Sequence, residues 1–146
     1  MSVTIRPLLA QDEAQWRRLW TAYLEFYETG VAEDVYATTF ARLIDPARPG
    51  QFAFLAETDG RAIGLVHVIV HPHNWRIEDV CYLQDLYVAP EARGTGAGRA
   101  LIEAVYAAAD ARGTPFVYWM TQDFNTQARL LYDRIAKVTP FIRYQR

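Results

Sequence analysis

Arg93, Gly94, Thr95, Gly96, Ala97, Gly98 and Arg99 form the stretch of this chain whose residue types are best suited to chemistry. The apolar run Tyr82 to Val88 leads into it, Pro90 ends that run, and helix-forming residues follow from about Gly98. A chain that turns from strand to helix here offers several backbone N–H groups with no intrahelical partner. The helix dipole favours negative charge at that end, so a phosphate is the natural occupant. Glycines let a bulky pyrophosphate come close to the backbone, and Arg93 and Arg99 add charged donors. Two other phosphate motifs are excluded. A Walker loop needs Gly-Lys-Ser/Thr, and the only lysine is Lys137. A dinucleotide fold wants Gly-x-Gly-x-x-Gly in an opening strand–helix–strand unit, and neither that spacing nor that position occurs.

The rest of the chain must hold this turn in place. Val3 to Pro7 reads as an opening strand, and Asp12 as the cap of a helix that runs to about Glu28, where Gly30 stops it. Trp16, Trp20, Tyr23 and Tyr27 fall on one face of that helix, as core or as pocket wall. A second helix covers Asp34 to Ile44. Phe52 to Thr58 and Ala62 to His71 are strands joined by Asp59-Gly60, a type I′ hairpin signal. Glu78 to Val88 is the next strand, paired antiparallel with its predecessor. A helix from Gly98 to Arg112 and a strand from Phe116 to Thr121 complete a right-handed parallel crossover. Asn125 opens a helix with Ala128, Leu131, Tyr132 and Ile135 facing inward, and Thr139 to Tyr144 is expected as a last strand. The order β-α-α-β-β-β-α-β-α-β describes a single α/β domain, residues 1–146, with a mixed sheet in layers.

The chain has 146 residues, 51% hydrophobic and 22% charged, which excludes a disordered tail. Residues 1–60 carry nine acids and five arginines, whereas residues 61–146 carry eight acids and ten bases. That split suits an acidic half facing a cationic substrate and a basic half facing an anionic cofactor. No global positive field points to nucleic acid. No signal peptide or apolar span is visible, so a cytoplasmic location is expected. Cys81 stands alone and reads as a buried core thiol. His67 and His71 share strand parity but lie about 13 Å apart along a strand, too far for one metal ion.

Arg93, Gly96 and Gly98 spell Arg-x-x-Gly-x-Gly after an Asp-Leu-Tyr-Val-x-Pro strand end, and Asn125, Ala128, Leu131 and Tyr132 spell Asn-x-x-Ala-x-x-Leu-Tyr. Both motifs resemble those of the GNAT superfamily of N-acetyltransferases, whose element order is also similar across nearly the whole chain. The aromatic first helix, with Cys81 to Val88 and Val117 to Gln122, looks like a branch of small histone, polyamine and D-amino-acid N-acetyltransferases. The resemblance implies a mixed, mostly antiparallel sheet flanked by helices, with acetyl-CoA wedged between splayed parallel strands, here Tyr82–Val88 and Phe116–Thr121. Backbone groups of Leu86, Tyr87 and Val88 would pair with the pantetheine arm. Arg93 through Arg99 would hold the pyrophosphate, and Asn125 would touch the arm. The expected activity is direct transfer of the acetyl group to a primary amine in a ternary complex; the alternative is a silent acyl-CoA-binding module.

An alkylammonium has a pKa near 10.4 and must lose a proton before it attacks. Asp85 and Glu78 are candidate bases or water-orienting groups, with Asp79 beside them. Gln84 stands where polyamine-acetylating relatives often carry Glu, and it cannot act as a base. Tyr132 matches the family's general acid, placed to protonate the leaving thiolate. The acceptor is expected to be a cationic amine, with a homodimer formed through the C-terminal strand. Pro140 replaces the family's usual glycine before Phe141.

Overall fold

The structure, a computed structural model, describes residues 2–146. Strand β1 (Thr4–Pro7) leads through a short 3-10 turn to helices α1 (Glu13–Phe26) and α2 (Glu33–Ile44). Strands β2 (Gln51–Thr58), β3 (Arg61–His71) and β4 (Val80–Val88) follow, then α3 (Ala97–Ala111), β5 (Val117–Tyr118) and α4 (Thr126–Ile135). The five strands lie in sequence order, antiparallel except for the parallel pair β4 and β5. Asp59 and Gly60 both take positive φ, as the type I′ hairpin requires.

Each face of the sheet has its own core. On one face α1 and α2 bury Trp16, Leu19, Trp20, Phe40 and Leu43 against Leu55, Leu65 and Tyr87. On the other, α3 buries Leu101, Ile102 and Val105 against Val66, Val68 and Leu83, with Leu131 and Tyr132 of α4 packed at its side. Gly64 is required by the close approach of β4: a Cβ there would lie 2.8 Å from the Tyr87 carbonyl oxygen. The aromatic stripe of α1 divides accordingly. Trp16 and Trp20 are core, whereas Tyr23 and Tyr27 are only partly buried.

One irregularity shapes everything that follows. His67 pairs with Asp85 but Val68 pairs with Leu83, so Gln84 has no opposite number. A bulge of this kind inserts one residue and re-aims its neighbours. Tyr82 and Asp85, three positions apart, would otherwise point to opposite faces.

Three expectations are corrected. Thr139 to Tyr144 forms no strand: residues 137–146 are exposed and pair with no described strand, and Pro140 lacks the N–H a ladder needs. The element order therefore ends at α4, and the strand through which a homodimer was expected is not formed within the chain. The strand expected over Phe116–Thr121 shortens to Val117–Tyr118, because β5 leaves β4 after two pairs. Asp12 does not cap α1 with its side chain. Its carboxylate accepts from the Leu9 N–H at 2.7 Å and from both terminal nitrogens of Arg6, which also bonds Glu57. A guanidinium is the stronger partner for a buried carboxylate.

Candidate active site

The glycine turn folds as an open cradle. Gly94 and Gly96 have φ of 83° and 86°, and among the described residues no atom beyond their chain neighbours lies within 4 Å of a Cβ built on either. Gly96 precedes the first residue of α3, and the first intrahelical bond runs from Ala100 N to its carbonyl. The amides of Ala97, Gly98 and Arg99 thus open the helix ahead of that ladder. Thr95 braces the turn through a 2.6 Å bond from its hydroxyl to the Ala92 carbonyl. Arg93 Nε donates to the Val88 carbonyl, and the exposed Arg99 pairs with Glu103 at 2.9 Å. Open space, free amides and two guanidinium groups fit a pyrophosphate.

From this cradle the sheet opens. β4 pairs with β5 only at Cys81–Val117 and Tyr82–Tyr118, so the edge of β4 from Leu83 to Val88 has no strand partner on that side. Leu86, Tyr87 and Val88 all lie along the open edge. Asn125, expected beside it, donates from Nδ2 to Thr121 Oγ1 at 3.1 Å and does not cap α4 with its side chain. Tyr132 packs edge-on against Trp119, the residue at which β5 breaks away. Burial pushes its pKa up to about 12, with a smaller contribution from Tyr27. Its hydroxyl is therefore protonated at neutral pH.

Asp85 lies on the α1 face, where a cleft of about 350 Å³ is lined by Trp20, Leu24, Val35, Gln51, Gln84 and Asp85, among others. Its Oδ2 lies 2.7 Å from His67 Nδ1. On the far side of that ring, Trp16 Nε1 reaches His67 Nε2 at 2.8 Å. An indole N–H can only donate, so Nε2 accepts, the proton sits on Nδ1, and His67 donates to the carboxylate. The hydrogen-bond network thereby assigns a neutral histidine and an ionised aspartate. Burial pushes the Asp85 pKa up, but His67, through its hydrogen bond and its electrostatic attraction, outweighs this with smaller help from Tyr23 and Trp20 and holds the carboxyl below its ordinary value. Trp20 Nε1 is a buried donor with no closed hydrogen bond, although it faces Asp85. Tyr23, its pKa raised by burial and then by Asp85, remains a phenol.

The sequence candidates do not all meet. Asp85, Leu86–Val88, Tyr132 and Asn125 border the splay. Glu78 precedes the other end of β4, roughly 20 Å away at strand rise, and pairs with Arg76 at 3.6 Å. Asp79 is exposed there, as is Trp75 in the loop before it. None of the seven acids between residues 10 and 45 lines the cleft; Glu13 and Glu33 are tied to Arg17. Asp85 is the carboxylate that does. Sequence reasoning missed the partnership of His67 with Trp16 and Asp85. Its signal was a histidine at an otherwise apolar-facing position of a strand, which asks for a polar partner.

Residues 15–136 match the acetyltransferase (GNAT) family. Over 146 residues the chain is 44% identical to the D-amino-acid N-acetyltransferase HPA3 of Saccharomyces cerevisiae, covering 99% of this chain and 90% of that relative. It is 28% identical to the aminoglycoside N(6')-acetyltransferase type 1 of Klebsiella aerogenes, with 96% and 95% covered. Among solved structures, AAC(6')-Iy bound to the bisubstrate analogue CoA-S-monomethyl-acetylneamine superposes with a TM-score of 0.87 at 21% identity, over 100% of this chain and 98% of that one. The ribosomal-protein-alanine N-acetyltransferase of Brucella melitensis superposes at 0.82 and 22% identity, over 99% and 98%. At such identities the likeness is one of fold.

Proposed function

The chain belongs to the acetyltransferase (GNAT) family, and we propose that its glycine cradle, open β4 edge and Asp85 cleft act as one continuous site for moving an acetyl group onto an amine. It is an N-acetyltransferase with acetyl-CoA as co-substrate. Acetyl-CoA supplies the activated acetyl thioester when bound. Arg93, Gly94, Thr95, Gly96, Ala97, Gly98 and Arg99 hold its phosphates, and the backbone of Leu86, Tyr87 and Val88 holds its arm, with Asn125 alongside. An N–H of this edge is suited to polarising the acetyl carbonyl.

The observation that carries this reading is the bulge at Gln84, which turns Asp85 into the cleft just where the β4 edge becomes free. An anionic Asp85 draws in a cationic amine as the ammonium. Its lowered pKa keeps Asp85 ionised, so it holds and orients the ammonium. The proton that must leave before attack is passed on to solvent and not retained on the carboxylate. Tyr132, still protonated, gives its proton to the departing sulfur. Glu78, held by Arg76 at the far end of the strand, is assigned no part in the transfer.

The same reading takes residues 1–146 as one catalytic domain. Phe141, Ile142 and Tyr144 are 75–89% exposed beyond a β5 of only two residues, which supports a homodimer in which each C-terminal segment finds its sheet edge on the other copy.

Release of free thiol from acetyl-CoA, measured with a panel of amines, tests the reaction. Tyr132→Phe keeps the ring and should leave acetyl-CoA affinity unchanged while kcat falls about 10²-fold. Thiol release with no amine would overturn the reading, and a variant within twofold of wild type would remove Tyr132 from it.

A further inference from the structure

Ile69, His71, Tyr82 and Tyr118 belong to neither apolar core, yet they are held in a fixed arrangement on the sheet. Tyr82 and Tyr118 stack with ring centroids 4.8 Å apart and planes 11° from parallel. His71 Nδ1 bonds the Pro72 carbonyl at 2.8 Å, and a carbonyl can only accept, so Nδ1 carries the proton. With the ring neutral, His71 Nε2 accepts from the Tyr118 hydroxyl at 2.7 Å, and in either protonation state this bond fixes the tyrosine ring. His67, Ile69 and His71 alternate onto one face of β3, and the Gln84 bulge keeps Tyr82 on the same face as Asp85. Ile69 stands opposite Tyr82 in the register and also lines the cleft with Asp85, so the tyrosine pair adjoins the cleft at Ile69 without itself lining it. Tyr82 and Tyr118 are also the last residues at which β4 and β5 pair, so the splay opens beside them.

We infer that the stacked Tyr82–Tyr118 pair receives the acceptor's substituent, and that the preferred acceptor is a monoamine bearing an aromatic ring. The inference rests on the acetyl-transfer reading above, with the ammonium at Asp85 and the ring on the tyrosines. Rings prearranged in this way lose little freedom on binding a flat group. Aromatic partners gain from offset-stacked or edge contacts beyond the area they bury. A second ammonium, as in a polyamine, could also lie over a tyrosine face. The local charge opposes it. Arg76 sits 4.2 Å above Phe116, itself 6.2 Å from Tyr118. The carboxylate of Glu78 is already engaged by Arg76.

The test compares kcat/KM for 2-phenylethylamine, ethylamine and spermidine by thiol release from acetyl-CoA. Wild type should favour 2-phenylethylamine over ethylamine by about tenfold, and over spermidine as well. Tyr82→Ala should bring the phenylethylamine-to-ethylamine ratio close to one, and Tyr82→Phe should restore it. A general loss of folding would lower both rates together and leave that ratio unchanged. A wild-type ratio near one, a preference for spermidine, or a ratio that survives Tyr82→Ala overturns the inference while leaving acetyl transfer intact. Failure with every amine overturns acetyl transfer itself.

Discussion

At the scale of single residues, the chemistry depends on how Asp85 is kept charged. Trp16 fixes the tautomer of His67, and His67 spends its one proton on the carboxylate. Because the folded pKa of Asp85 is depressed, its ionised form stabilises the protein fully above the unfolded value of about 3.9. That contribution is lost only as pH falls through the lower folded value. Asp85 therefore does not change charge between pH 5 and 9. The acid limb of kcat/KM in that range should belong to the acceptor and shift with its basicity. Profiles recorded with two amines of similar shape and different pKa check this. A limb that stays at one pH for both amines would show instead that a group of the enzyme takes the proton.

The elements matter where they end. The strand β4 is useful because β5 abandons it after two residues, and helix α3 because Gly96 begins it in a left-handed conformation that leaves its first amides open. Gly96→Ala places a methyl group where, among the described residues and apart from its chain neighbours, no atom lies within 4 Å. The backbone penalty is about 1–2 kcal/mol, a melting shift of only several degrees for a domain of this size. Affinity for acetyl-CoA by calorimetry should fall at least tenfold, because the methyl group occupies the space left for phosphate. Undiminished affinity in the folded variant would place the phosphates elsewhere. Glycine spacing and a helix start are local features, so this half of the site was legible in the sequence. The acceptor half was not. Asp85 was visible as a candidate, but its partner lies 18 residues away on another strand.

For the whole molecule, the unfinished part is the C-terminal segment. Phe141, Ile142 and Tyr144 present apolar surface that nothing described in the chain covers. If a second copy covers it, the protein should run as a dimer by light scattering at micromolar concentration, with a melting temperature that rises with concentration. Removing residues 139–146 should then yield a monomer. A sharp monomer mass for the intact chain would leave the segment without its proposed partner.

The sequence by itself determined what short-range chemistry can encode. The phosphate-suited turn follows from glycines between a strand and a helix, the hairpin from Asp59-Gly60, and the buried stripe of α1 from the spacing of Trp16 and Trp20. Tertiary structure decided what depends on register. Whether Tyr82 and Asp85 share a face rests on a single extra residue at Gln84, and a one-residue change of register reverses every side chain beyond it. It also decided that Thr139–Tyr144 stays unpaired within the chain. A strand exists only where another offers its hydrogen bonds, and β5, two residues long, offers too few.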